Sequence, residues 1–258
     1  MSASWLGFWD TSHSIYVNAR HRDVHYRLIA TAIARLVPSP SARVLDYGSG
    51  EALHADIVAA AAGELLLCEG APGLRARLAA RFAGDPKIRT VAPDAVERLP
   101  QRSFDLIVLH SVAQYLTTDE AGKLFALFQR LLRADGLLVA GDIIPPDIAA
   151  ATDALALLRF AAANGFLCAA IVGLVRTRLS DYWQIRKRVG LTRYGEAAMI
   201  DKLAASGLAA ERAPQNIGHN QARMTFIARP RQPSRGPQDE TTELNEDRAP
   251  RRPRLSPA

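Results

Sequence analysis

Short apolar runs alternate with amphipathic stretches between residues 43 and 145. The apolar runs predict strands at 43–46, 64–68, 88–91, 104–109 and 137–140, and the stretches between them predict helices at 51–62, 73–82 and 118–133. The run at 104–109 is continuously apolar after Asp105, as in a strand buried on both faces. Strands that alternate with helices predict a parallel sheet with right-handed crossovers.

The flanking segments have different patterns. Residues 1–42 begin with three aromatic residues and continue as a predicted helix over 20–36, which Pro38 and Pro40 end. Residues 195–228 predict another helix and two strands, so the domain should span 43–228 with an insertion at 146–194. Residues 229–258 hold almost no apolar side chain and should form a disordered tail. The aromatic residues at the start are Trp5, Phe8 and Trp9.

Composition narrows the class of protein. Hydrophobic residues make up 48% and charged residues 22%, which excludes a chain disordered throughout and a multi-span membrane protein. No basic segment followed by an apolar run marks a secretory signal at the start, and two cysteines cannot build a disulfide framework or a structural zinc site. We therefore expect a cytoplasmic protein. The net charge of +6 is spread over the chain, so no nucleic-acid partner is expected.

One turn carries the strongest chemical signal. An apolar strand runs into Asp46 and then into a turn with Gly48, Ser49 and Gly50. The glycines allow a tight bend and a close approach of the backbone to a ligand, and a helix predicted to start near Glu51 points free N–H groups at the same place. A dinucleotide-binding turn has a third glycine where this chain has Leu53, so the NAD fingerprint is missing.

At this turn the chain resembles the class I S-adenosylmethionine-dependent methyltransferases. The resemblance implies a Rossmann-like, doubly wound, mostly parallel α/β sheet of seven strands with an antiparallel last strand, an N-terminal helix and a helical insertion after strand five. It implies S-adenosylmethionine as cofactor, Glu69 on its ribose hydroxyls, and Asp94 with Ala95 beside its adenine. The residues that carry it are the turn 46–52, Glu69, Asp94-Ala95, and the segments 99–107 and 133–138.

Each assigned acid also has a purely structural interpretation. Asp46 could cap a turn at the end of a strand. Glu69 could be a solvated loop residue, because glutamate is usually exposed. Asp94 could be the N-cap of a short turn through Val96.

Candidate substrate residues come from three places. Tyr16, His21 and His25 lie in the N-terminal segment, which in the resembled family often closes over the cofactor, although they could equally make surface hydrogen bonds. His110 follows strand four, where ligands bind in such sheets, and it could act as a base or only shape the pocket. His21 and His25 share a helix face, but no acid completes a metal site there, so no metal is expected. The further candidates are Tyr115, His219 and Arg223, the last two being possible turn residues.

The insertion gives the clearest indication of the acceptor. Sixteen residues, 160–175, carry no charge, and the following segment to residue 193 is basic with one acid, Asp181. Three interpretations stay open: a hydrophobic cover over the acceptor, peripheral membrane contact through 155–190, and a membrane span, for which the run is short and broken by glycine. A membrane-associated form of a cytoplasmic protein is compatible with the second.

The sequence therefore predicts a methyltransferase of EC class 2.1.1 acting on a small-molecule or lipid-like acceptor. A non-catalytic cofactor-binding protein with the same fold is one alternative. A protein or RNA methyltransferase is another, although the chain lacks the Asn/Asp-Pro-Pro-aromatic motif after strand four that many nucleic-acid enzymes have. The sequence leaves the acceptor atom and the oligomeric state open.

Overall fold

The structure is a computed structural model that describes residues 16–177 and 190–231, together with Gly7 and Asp10. Eight helices and seven strands lie in these ranges. The helices are α1 (Ala19–Ala34), α2 (Ala55–Ala61), α3 (Pro72–Arg81), α4 (Pro93–Glu97), α5 (Thr118–Leu131), α6 (Ala150–Asn164), α7 (Leu167–Thr177) and α8 (Glu196–Ala205). The strands are β1 (Arg43–Tyr47), β2 (Glu64–Cys68), β3 (Ile88–Val91), β4 (Phe104–His110), β5 (Leu132–Ile143), β6 (Leu208–Arg212) and β7 (Met224–Pro230).

All seven strands form one sheet in the order β3-β2-β1-β4-β5-β7-β6. The first five are parallel, and β7 runs antiparallel to both β5 and β6. The order of the strands changes direction after β3, because β4 is added on the other side of β1. A crevice therefore opens at the carboxyl ends of β1 and β4, where ligands bind in such sheets. The predicted fold class is confirmed, including the antiparallel last strand, the N-terminal helix and the helical insertion after β5.

The sheet is buried on both faces, as the continuous apolar pattern of β4 requires. Leu106 and Val108 point into the core on the side of α1, α2 and α3, whereas Ile107 and Leu109 point toward α5 and α8. All four side chains are fully buried. Helix α5 begins with a capping box in which Thr117 and Glu120 bond each other's backbone N–H groups, and this fixes its predicted start.

Two predicted boundaries were wrong. The helix after the glycine turn begins at Ala55 instead of Glu51, because the backbone still turns at Ala52 with a φ of 42°. Strand β5 is longer than the predicted 137–140. Residues 133–136 bulge out of it, since Phe104 pairs with Leu132 and Leu106 already pairs with Leu137.

The insertion forms a helical hairpin of α6 and α7. Helix α6 ends at Asn164, and Gly165 follows with a φ of 76°, a conformation that glycine adopts without strain. The inner side of the hairpin packs on α1 through Val17 and Val24. Within the described residues, no helix is both long and apolar enough to cross a membrane. The predicted tail beyond 231, the basic residues of 178–189 and the first aromatic residues lie outside the described residues.

Candidate functional site

The glycine turn at the carboxyl end of β1 has the geometry its sequence predicts. Gly48 and Gly50 have φ angles of 77° and 59°, a region that residues with a Cβ rarely adopt. A Cβ on Gly48 would collide with Val112, and a Cβ on Gly50 would lie 2.9 Å from the Tyr26 hydroxyl. Ala52 stands where the resembled family has a glycine, and it too has a positive φ. The surroundings of the turn therefore leave no room for a side chain at Gly48 or Gly50.

Glu69 lies directly after β2 and holds this turn in place. Its Oε2 accepts the Gly50 N–H at 3.0 Å, and its Oε1 accepts the Ala71 N–H at 2.8 Å. The side chain is buried, so the interpretation as a solvated loop acid is wrong. Burial raises the pKa of Glu69, and the backbone N–H groups oppose that rise. A carboxylate oxygen can accept more than one hydrogen bond, so these backbone contacts leave capacity for a ligand.

Two neighbours of Glu69 complete the polar surface of the turn. Burial and the nearby Glu69 raise the pKa of Asp46 to about 7. The Ser49 hydroxyl is buried and has no hydrogen-bond partner among the described residues. A buried hydroxyl of this kind normally has a partner, so a ligand atom is the natural candidate.

Asp94 and Ala95 lie in the first turn of α4, after β3. The N-cap of α4 is Ala92, so the interpretation of Asp94 as an N-cap is wrong. Its carboxylate is exposed and forms an ion pair with Arg98. The proposed position beside an adenine stays a prediction.

Helix α1 lies against the glycine turn and is fastened to it by polar contacts. The Glu51 N–H donates to the Tyr26 hydroxyl at 3.0 Å, and His54 Nε2 lies 2.8 Å from an Asp23 oxygen. Nearer the chain start, Asp10 accepts the N–H groups of Gly73 and Leu74 at the start of α3, at 2.6 and 3.3 Å. The described parts of the N-terminal segment thus contact both the start of α3 and the glycine turn. Arg22 also pairs with the Glu51 carboxylate at 3.3 Å.

A cluster of aromatic rings lies beside α1 and reaches Tyr26, whose hydroxyl contacts the glycine turn. His21 stacks on Phe166 with a centroid distance of 5.0 Å, and His219 stacks on Phe160 at 4.7 Å. His25 lies 6.0 Å from His21 and 5.9 Å from His219 between ring centroids. Tyr16 closes the cluster, with centroid distances of 5.3 Å to His21 and 5.5 Å to His25.

The histidines of this cluster are neutral near pH 7. Burial lowers the pKa of His21 to about 4 and that of His25 to about 3, and it also lowers the pKa of His219. The Val17 N–H donates to Nδ1 of His21 at 3.3 Å, so the proton of the neutral ring lies on Nε2. That Nε2 and the Nδ1 of His25 have no partner among the described residues.

His110, Ser111 and Asp142 meet at the carboxyl ends of β4 and β5. Ser111 and Asp142 have φ angles of 57° and 62°, although neither is glycine. The Ser111 hydroxyl donates to the Asp142 carboxylate at 2.6 Å. Burial lowers the pKa of His110, while Asp142 works against that shift. Strained backbone of this kind is typical of functional sites.

A partly buried ion network fixes Asp142. Arg223 donates to Asp142 at 2.8 Å and to Asp153 of α6 at 3.2 Å. Asn220 also donates to Asp153, at 2.7 Å. Burial raises the pKa of Asp142, but Arg223, His110 and Ser111 outweigh it, so the carboxylate is ionised. Arg223 and Asn220 therefore join the last loop to the insertion and are more than turn residues.

The structure brings together most of the predicted substrate candidates. Tyr16, His21, His25 and His219 share one cluster, and His110 with Arg223 borders it through Asp142. Tyr115 is buried in a 3-10 turn after β4 and lies close enough to raise the pKa of Tyr16. The sequence prediction missed a set of further residues in the same place. They are Tyr26, Ser111, Asp142, Asp153, Phe160 and Phe166.

Metal coordination has no geometric support in the described part of the chain. No group of three or more His, Cys, Asp or Glu side chains there is placed to hold a metal ion. The rings of His21 and His25 pack edge to face, with an interplanar angle of 76°.

Residues 45–140 match the family model of a methyltransferase domain. The part of the chain from β1 into β5 is thus similar to a methyltransferase domain. The predicted family resemblance is thus confirmed, and the match covers β1 through β5, which includes the glycine turn, Glu69 and His110. No curated protein sequence matches the chain.

Solved structures have the same fold as most of this chain. The YcgJ protein from Bacillus subtilis is 15% identical with a TM-score of 0.56, over 81% of this chain and 100% of that chain. Magnesium protoporphyrin IX methyltransferase from Synechocystis PCC 6803, with bound S-adenosylhomocysteine, is 16% identical with a TM-score of 0.54, over 88% and 93%. A riboflavin-derivative dimethyltransferase from Streptomyces davawensis is 15% identical with a TM-score of 0.55, over 81% and 54%.

Proposed function

We propose that this chain transfers a methyl group from S-adenosylmethionine to a small-molecule or lipid-like acceptor. The observation that carries the proposal is the Glu69 carboxylate, which two backbone N–H groups hold beside a glycine turn. A vicinal diol can donate one hydrogen bond to each carboxylate oxygen, so Glu69 suits a ribose. The hydroxyl of Ser49, which has no partner among the described residues, also suits a ligand that lies close to the backbone.

The cofactor, when bound, supplies an electrophilic methyl group on a positively charged sulfur. The protein's own contribution is to bind the two reactants in line and to exclude water. Helix α1 contributes to both tasks, because Tyr26 ties it to the turn and Asp10 continues the cover to α3. We propose that α1 and the segment before it act as the lid over the cofactor.

The acceptor occupies the region bordered by the aromatic cluster and the ends of β4 and β5. His110 is neutral and buried, and its Nδ1 has no partner within the described ranges, so it can accept a proton from an acceptor O–H or N–H group. The ionised Asp142 then stabilises the imidazolium that forms. Asp142 acts as a positioning residue, and Arg223 with Ser111 orients it.

The acceptor class follows from the walls of this region. The rings of Phe160, Phe166 and the three histidines beside them are apolar or neutral, and two of these walls come from the insertion. Such a surface suits a hydrophobic small molecule or lipid better than an RNA or a basic peptide, which need charged contacts. Two structural neighbours act on ring-containing small molecules. A cytoplasmic location stays a prediction from the two cysteines.

Two measurements test the proposal in order. S-adenosylhomocysteine should raise the melting temperature, because a ligand that binds only the native state stabilises it by mass action. The protein is then incubated with methyl-labelled S-adenosylmethionine and cell extract, and label should enter the small-molecule or lipid fraction. Label in RNA or protein would overturn the acceptor class. A thermal shift without label in any fraction would favour the non-catalytic cofactor-binding alternative, and absence of any thermal shift would overturn cofactor binding itself.

The role of Asp142 is tested once an acceptor is known. Replacing Asp142 with Asn removes the charge that stabilises a protonated His110, so the acid limb of the pH profile of kcat should move to lower pH. A merely structural role would lower the melting temperature and leave the profile in place. Glu211→Gln, an exposed change on β6, serves as the control.

A further inference from the structure

The outer surface of the helical hairpin is unusual for a protein surface. Eleven positions of α6 and α7 with described side chains are exposed, and ten of them are Ala, Leu, Cys, Ile or Val. The only charge among these eleven is Arg159. An exposed helix face normally carries polar and charged residues, so this face is inverted.

The inversion is most complete in α7. Its inner face consists of small residues, since Ala170 is buried and Gly173 lies against Val17. The large side chains point outward instead. Their exposed fractions are 40% for Leu167, 51% for Ile171, 49% for Val172 and 66% for Val175, and Leu155 of α6 adds 47%. We call these five residues the apolar stripe.

The part of the sequence that follows Val175 is basic. Residues 176–193 contain six Arg or Lys residues against one acid, Asp181, and also Tyr182 and Trp183. Basic side chains beside exposed aliphatic residues are the composition of segments that bind anionic lipid head groups. A second copy of this chain would carry the same positive segment next to α7 in its sequence, so like charges would oppose self-association.

We propose that the apolar stripe docks on an anionic lipid surface, with the hairpin lying on the bilayer and not across it. Helix α7 has 11 residues and is therefore about 16 Å long, roughly half the thickness of the hydrocarbon core. The inner side of the same hairpin contributes Phe160 and Phe166 to the aromatic cluster. Docking thus places the proposed acceptor region next to the membrane. This consequence rests on the proposed function, whereas the docking itself does not.

Vesicle co-sedimentation of the full chain tests the docking. The protein should sediment with vesicles of equal parts phosphatidylcholine and phosphatidylglycerol and much less with phosphatidylcholine alone. Ile171→Glu with Val175→Glu places two charges on the stripe and should reduce the bound fraction about tenfold or more. Ala76→Glu with Ala80→Glu is the matched control, because both alanines are exposed on α3 at the same spacing and the net charge changes equally.

The remaining arms separate the contributions and the alternatives. Neutralising Arg186, Lys187 and Arg188 together should weaken binding most at low salt. Melting temperature and S-adenosylhomocysteine affinity should be unchanged in every variant, which keeps this test independent of the methyl-transfer proposal. A wild type that ignores anionic vesicles would overturn the docking. So would a wild-type dimer that Ile171→Glu with Val175→Glu converts to monomer, since the stripe would then be a self-interface.

Discussion

Replacing Glu69 with Gln separates the two roles that the structure gives this side chain. Glutamine keeps the shape but has one oxygen and one NH2 group, so either Gly50 or Ala71 must face a donor instead of an acceptor. A buried donor without a partner costs about 1–3 kcal/mol. Burial already raises the pKa of Glu69, so removing the charge relieves part of that cost. We expect a loss near 1 kcal/mol, or about 2–4 °C in melting temperature.

The effect on the cofactor should be larger than the effect on stability. The neutral amide can accept only one of the two hydroxyl hydrogen bonds, and that bond is no longer charge-assisted. Such bonds contribute about 1.5–3 kcal/mol, which corresponds to a loss of about 10-fold to 150-fold in affinity. Isothermal titration with S-adenosylhomocysteine measures this directly, with the melting temperature recorded beside it.

Glu64→Gln is the matched control, because it is the same substitution at the first residue of β2, the strand that Glu69 follows. Glu64 lies at the opposite end of β2, where it pairs with Arg43 at 2.6 Å and with Arg89 at 3.4 Å, both away from the crevice. Its replacement should leave the affinity for S-adenosylhomocysteine unchanged. A folded Glu69→Gln protein with wild-type affinity would refute the assignment of Glu69 to the ribose.

Three further predictions use other parts of the site. Gly50→Ala should lower both melting temperature and cofactor affinity, because its Cβ would lie 2.9 Å from the Tyr26 hydroxyl, and adding Tyr26→Phe should restore part of the loss. The pKa of His21 is about 4 in the fold, so between about pH 6.5 and 4 only the unfolded chain gains a proton. The free energy of unfolding should therefore decrease as the pH is lowered through this range. His21→Phe keeps the stacking on Phe166 and should reduce this loss of stability between pH 7 and 5 by about 2 kcal/mol, as measured by melting curves at both pH values. Arg223→Met should lower the free energy of unfolding in urea by about 3 kcal/mol, the lower end of the range for buried pairs, because it leaves two partly buried carboxylates without this cation.

The part of the fold that the sequence predicted best is the part that local patterns decide. Strands β2 and β3 have the predicted boundaries, since each lies between clear turn signals and β2 is a short apolar run. The start of α2 could not be predicted, because the turn continues through Ala52 in a conformation that alanine adopts only under tertiary constraint. The bulge in β5 depends on how Phe104 and Leu106 pair across strands, which is a long-range property.

The candidate site divides in the same way. The cofactor half lies within one stretch of chain, and its residues were found because a turn between two elements brings them together. The acceptor half joins α1, the end of β4, the insertion and the loop before β7, so no local pattern could show that His21, His25 and His219 share one cluster. What the sequence did show was an excess of polar aromatic side chains in one short segment.

The sequence contained a signal for Asp142 that our prediction did not use. An acid directly after an apolar strand drew attention to Asp46, and the same rule applied to β5 identifies Asp142, which follows four buried apolar residues and Gly141. The two acids differ in their partners: burial and Glu69 raise the pKa of Asp46 to about 7, so that this carboxyl is partly protonated near neutral pH, whereas Arg223 keeps Asp142 ionised. An ionised acid can stabilise a protonated neighbour, and a neutral one cannot. The rule therefore locates both carboxylates, but only the cation supplied 81 residues later in the chain decides which one can support proton transfer.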